Sequence, residues 1–281
     1  MTFFRSVMVI ARLTFAEAVR RRIVVATALC GLAFLVLFAI GFHFIVRNLG
    51  HEALADRLKR TAILTFFTLA GLYATNFLTI MTAVLLPIDT LSGEIASGVM
   101  QTIASKPVRR SAILLGKWLA FCVVIAGYLA LLAGGVLTIV WLRAGVTLPD
   151  LHIGLPLMLL EAIVLLTLSV SGGARFSTVT NGIVAFGLYG LAFLGGWVEQ
   201  IGTFAGNETA RTIGTIASLV MPSESMWQLA AHHFQPPLVR GLGVGPFQYG
   251  AVPTPAMVWW TIGYVAVVLA IGVRKFATRA L

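Results

Sequence analysis

Residues 85–118 read LLPIDTLSGEIASGVMQTIASKPVRRSAILLGKW. Pro87 closes the apolar run before it, and Asp89 is placed to cap a new helix. Leu91, Ile95, Val99 and Ile103 then recur at helical spacing as an apolar stripe, while Glu94, Ser97, Gln101 and Ser105 lie away from it. Pro107 stops the helix, and Arg109 with Arg110 holds the turn at a headgroup layer. Lys117 stands just inside the next apolar run, where its stem can snorkel. The spacing predicts a short amphipathic helix over 89–105, in a segment 88–106 that joins two membrane spans. A plain loop helix lying on the membrane has the same periodicity.

Outward from this segment, long apolar runs set the fold class. Six stretches suffice to cross roughly 30 Å of hydrocarbon: 23–46, 61–86, 115–142, 154–172, 178–198 and 256–274. Apolar residues make up 59% of the 281 positions and charged residues 11%, with a mean hydropathy of +0.96. A soluble domain carries about 25% charged residues. This chain lacks the polar surface to cover a water-facing globule, so its solvent is largely lipid and a soluble enzyme is excluded. The expected fold is an all-α membrane protein with six transmembrane helices over 23–281.

The charge pattern orients the bundle. The net charge is +10, and the basic residues sit beside apolar runs, as topology signals and lipid-headgroup contacts rather than a nucleic-acid stripe. Of 20 basic residues, 13 fall on the side that holds Arg20-Arg21-Arg22, Arg109-Arg110 and Arg274-Lys275. Both termini are therefore expected in the cytoplasm. Arg47, Arg57, Lys59 and Arg60 crowd the first external loop against this rule.

Two flanking segments are not spans. Residues 1–22 read as an amphipathic interfacial helix. Phe4, Met8, Ala11 and Phe15 share one face, Phe3, Val7 and Ile10 flank it, and Arg5 and Arg12 stand opposite. No small-x-small cleavage site follows the first apolar run, so a cleavable signal peptide is not expected. Residues 199–255 read as an external insert. Ile213–Val220 is too brief to span before Pro222, and is expected as a re-entrant or interfacial hairpin buried against other helices.

An acidic residue, a glycine four later, Lys-Pro-Val-Arg-Arg and then Gly116-Lys117 together resemble the permease subunits of type-2 ATP-binding-cassette (ABC) transporters. The bacterial permeases associated with multicopper enzyme maturation and nitrous oxide reductase assembly are the nearest look-alikes. The N-terminal helix, the six spans and the proline-interrupted segment before the last span match that exporter permease architecture, and the basic first loop departs from it. The resemblance implies that 89–105 is a coupling helix docking on a separate cytoplasmic ATPase. Glu94 would pair with a basic residue of that ATPase, and Gly98 would permit close backbone approach. Asp89, Leu91, Ile95, Gln101, Arg109 and Arg110 would complete the contact. The turn Ser171–Arg175 would be a second contact through Arg175, or a plain glycine turn. The resemblance further implies a second permease subunit, a homodimer, in the bacterial inner membrane. Gly116-Lys117 is followed by Trp118 and lacks a phosphate loop's earlier glycine. ATP and Mg are thus expected on the partner, with no cofactor or metal in this chain.

Single residues remain. Glu161 stands alone inside the fourth span as a candidate intramembrane polar site, open to substrate contact, proton relay or a structural hydrogen bond. Gly182, Gly187, Gly190, Gly195 and Gly196 make the fifth span a close-packing helix, within one subunit or between two. His232-His233, with Met221 and Met226 near, lacks a carboxylate or cysteine at ligand spacing. Cys30 and Cys122 fall in apolar runs, away from any CxxC pattern. A membrane anchor or assembly scaffold for an external partner is the rival reading. A secondary transporter lacks its paired broken helices.

Overall fold

The computed structural model describes residues 3–49, 54–96, 109–237, 240 and 252–278, with only the backbone described at 54–58, 95 and 96. Its helices are α1 (Phe3–Arg20), α2 (Arg22–Asn48), α3 (Leu54–Leu85), α4 (Ser92–Ala96), α5 (Arg110–Ala144), α6 (Leu151–Gly173), α7 (Thr178–Phe204), α8 (Glu208–Val220), α9 (Ser223–Phe234) and α10 (Ala256–Thr278). The described residues hold no strand. Six helices are long and apolar enough to cross a membrane: α2, α3 from Lys59, α5, α6, α7 and α10. The shortest, at 23 residues, rise about 35 Å at roughly 1.5 Å per residue, enough for the hydrocarbon layer. The expected all-α, six-span fold is what the structure shows.

The centre of the bundle is α6. It packs against α3, α5, α7, α9 and α10, and Met158, Ala162, Val164, Leu165 and Leu166 are fully buried along it. At the periphery, α2 buries only Gly31 and Phe42 and presents Leu29, Val36, Leu37 and Ile40 outward. It leans on α5, where Tyr128 Oη donates to the Thr27 carbonyl at 3.0 Å. Without water to satisfy backbone groups in lipid, helices close their own hydrogen bonds and offer side chains for packing.

The apolar face that periodicity selects on α1 is turned outward except at Ala11, and a face of small residues packs. Phe4, Met8 and Phe15 are exposed, whereas Ala11, Thr14 and Ala18 are buried and α1 lies along α5. The reason is Gly116. A β-carbon there would stand 2.8 Å from both Ile10 and the Val7 carbonyl. The missing side chain at Gly116 lets α1 seat on α5 at Val7 and Ile10, and Phe4, Met8 and Phe15 are left facing outward, where lipid would meet them.

The insert read from residue 199 starts later, because residues 199–204 continue α7. A turn through Gly206, at φ 66°, reverses the chain, and Asn207 Oδ1 caps α8 by accepting from the Ala210 amide at 3.1 Å. The two helices then meet glycine to side chain: Gly202 at Ala210, Gly195 at Ala217, Gly214 at Glu199. After Pro222, α9 inserts among α3, α6 and α7, and Ser223 through Ala231 are all buried. Trp227 is fully buried there with its ring 5.2 Å from Tyr73. The run Ile213–Val220, expected to be buried against other helices, instead leaves Ile213, Ile216, Leu219 and Val220 exposed on α8, and it is α9, after Met221-Pro222, that enters the bundle. Of the α7 glycines, Gly182, Gly195 and Gly196 face neighbours within the chain, while Gly187 and Gly190 face open space.

Candidate functional site

The helix ends near α4 meet in a small polar knot. Beyond Leu85 the chain turns at Pro87, whose carbonyl accepts from the Thr90 amide at 2.9 Å. The Asp89 carbonyl accepts from the Gly93 amide at 2.9 Å. The Asp89 side chain, expected as a cap, instead reaches across to α7. Its Oδ1 accepts from Thr178 Oγ1 at 2.9 Å, and Ser92 Oγ lies 2.8 Å from the same hydroxyl. Arg21, at the α1–α2 junction, donates to Thr90 Oγ1 at 3.4 Å. Leu91 is buried against the α6–α7 turn, where a β-carbon on Gly173 would stand 3.4 Å from its own.

Glu94 completes the knot. Its Oε1 accepts from Lys117 Nζ of α5 at 2.5 Å. Lys117 was expected to snorkel, and Glu94 was expected to face an ATPase. The structure turns both inward, toward each other. Behind the knot, Ser169 Oγ donates to the Val84 carbonyl at 2.9 Å, and Asn181 Nδ2 donates to the Ser169 carbonyl at 2.8 Å. Side-chain bonds thus join the α4 segment to the α1–α2 junction, α5 and α7, and the ends of α3, α6 and α7 to one another.

The other sequence-predicted contacts divide. Arg109 and Arg175 are exposed and Arg110 is half-buried, with the Arg175 guanidinium 5.9 Å from the Phe176 ring centre. The Ile95 side chain, Gly98, Gln101 and the remainder of the predicted helix lie outside the described residues. Sequence reasoning missed Arg21, Thr90, Thr178 and Asn181. Only the order Asp-Thr-Leu-Ser before Glu94 hinted at a hydrogen-bonding turn.

A second polar site lies in the bundle interior. Glu161 is fully buried on α6, and its Oε2 accepts from Asn76 Nδ2 of α3 at 2.9 Å. Asn76 is the neighbour that sequence could not name. At the α9 end, His233 Nδ1 lies 3.5 Å from Asp150 Oδ2 and His232 faces Arg240, while Met221 and Met226 are buried.

The layout is that of a membrane bundle with a bonded turn between its second and third spans. A family model described as ABC-2 family transporter protein matches residues 8–281. The chain belongs to that family. No curated protein matches it. As an ABC-2 family member it is a multi-pass membrane subunit of an ABC transporter.

Proposed function

We propose that this ABC-2 subunit is a permease driven by a separate cytoplasmic ATPase docking at the α4 end. ATP and Mg would sit on that partner. One observation carries the reading: the α4 segment is bonded to the α1–α2 junction through Arg21, to α5 through Lys117 and to α7 through Thr178. A push on so short an element reaches several spans at once. Rigid side-chain ties are how nucleotide-driven closure becomes helix tilt, since packed elements shift as units.

In this reading Glu94 acts as a transmission link to α5, and the exposed Arg109 and Arg175 meet the ATPase surface. Two copies of the subunit and two ATPases form the working unit in the bacterial inner membrane, with both termini in the cytoplasm and transport directed outward. A role beside multicopper enzyme maturation or nitrous oxide reductase assembly is the cargo setting we favour, on the Glu94-to-Lys117 motif. Reconstituting the subunit with its ATPase tests the reading. ATPase activity should respond to the permease in wild type and uncouple in Glu94→Lys. Unchanged coupling in that variant would count against the assignment.

A further inference from the structure

Glu161 and Asn76 are bonded on one side of their pairing and unmatched on the other. Asn76 Nδ2 donates to Glu161 Oε2, while Glu161 Oε1 and Asn76 Oδ1 are buried and meet no donor among the described residues. An ionised carboxylate only accepts hydrogen bonds, as does an amide oxygen. In that state two acceptors are stranded in the middle of a membrane bundle, beside a full charge, and each condition is costly. One hydrogen on Oε1 removes all three faults. The acid becomes neutral, Oε1 becomes a donor, and Asn76 Oδ1 is its natural acceptor in the two-point pairing of an acid with an amide.

Among the described residues, the surroundings supply no cation to replace that hydrogen. The titratable groups facing Glu161 are Glu224 from α9, Tyr73 from α3 and Tyr189 from α7. Among the described residues, α5 and α10, also packed on α6, bring none. Glu224 is itself buried and occupies space left by Gly196, where a β-carbon would stand 2.6 Å from its Cγ. The next residue, Ser225, lines a cleft of about 210 Å³ with Glu199, Thr215, Ser218 and Thr254. Glu224 thus stands next in the chain to the cleft-lining Ser225, and its charge acts on Glu161.

We propose that Glu161 is a proton-binding site, holding its proton on Oε1 toward Asn76 Oδ1 and exchanging it with the α9-end compartment through Glu224. In uptake, a hydronium in the cleft protonates the Glu224 carboxylate and leaves water. Glu224 passes that proton to the Glu161 carboxylate and returns to its ionised form. The net step binds one proton, and no other reactant is needed.

Infrared difference spectroscopy of the purified full chain in lipid nanodiscs tests this, with unlabelled and ¹³C-glutamate protein in H₂O and D₂O. Wild type should show a protonated-carboxyl C=O band at neutral pH that shifts with the glutamate label. Glu161→Gln should remove that band, and Asn76→Leu should move it to the higher frequency of an acid without an acceptor. In Glu224→Gln the band should persist but exchange with D₂O at least about a hundredfold more slowly, the scale of a lost positioned proton carrier. A wild-type spectrum without that band, which needs no variant to fold, overturns the proposal. So does a band that survives Glu161→Gln. Exchange at the wild-type rate in Glu224→Gln overturns the route.

Discussion

Lys117 Nζ of α5 stands 2.5 Å from Glu94 Oε1 of α4, with 5% and 14% of the two side chains exposed. Both charges are largely out of water, and each loses its close counter-charge when the other is removed. Removing one partner of such a pair costs about 3–5 kcal/mol. Glu94→Ala and Lys117→Ala should each lower the unfolding midpoint, and the double variant should cost less than the two singles summed. Thermal unfolding of the four proteins measures the coupling, expected near 1–3 kcal/mol. Additive losses would mean that Glu94 acts on something other than Lys117.

Gly116 explains how α1 seats on α5, and it gives a matched pair of substitutions. A β-carbon at Gly116 would meet Ile10 and Val7 at 2.8 Å, whereas Gly134 on the same helix has open space. Gly116→Leu should lift α1 from the bundle at a cost of about 1–3 kcal/mol or more. Gly134→Leu should leave it seated. Limited proteolysis across residues 12–22 reads the difference, and equal cleavage in both variants would refute it.

The α7–α8 hairpin depends on glycine contact in the same way. A β-carbon at Gly214 would lie 2.3 Å from Glu199 Cβ and 2.7 Å from the Gly195 carbonyl oxygen, while Gly190 meets nothing within 4 Å. Gly214→Ala should destabilise by about 1–3 kcal/mol, and Gly190→Ala should be neutral or slightly stabilising. Chemical denaturation in detergent distinguishes them. Similar midpoints would contradict the observed packing.

Hydropathy alone marked the six spans, because a helix facing lipid must be apolar over its whole length. It could not assign the packed face of α1, since there the decisive residues are small rather than greasy. Nor could it foresee α9. Ser223, Glu224, Ser225 and Gln228 lie in the segment read as an external insert, yet they are buried because α9 packs onto α6 and α7. The Glu94 motif was legible as a motif, but its partner Lys117 was not. Nothing in a one-dimensional pattern tells whether a charge near a helix end turns outward to a partner protein or inward to the next helix.

Arg175 has the opposite character from Glu94. It is exposed at the α6–α7 turn, against the residue next to it, so its loss should leave the fold intact. Arg175→Glu should slow association with the ATPase roughly tenfold at low salt through lost electrostatic steering. The deficit should shrink as salt screens the charges. Binding kinetics at two ionic strengths check this, and a wild-type rate at low salt would remove Arg175 from the interface.

The account stands on which face of the membrane the α4 knot occupies. In a chain with Cys30 and Cys122 replaced by serine, single cysteines at Arg175 and at Glu208, exposed positions at opposite ends of α7 and its hairpin, can be labelled with a membrane-impermeant maleimide. Intact spheroplasts should label Glu208→Cys and leave Arg175→Cys untouched until the membrane is opened. Labelling of Arg175→Cys in intact spheroplasts, with Glu208→Cys protected, would put the knot on the side away from ATP and contradict the account.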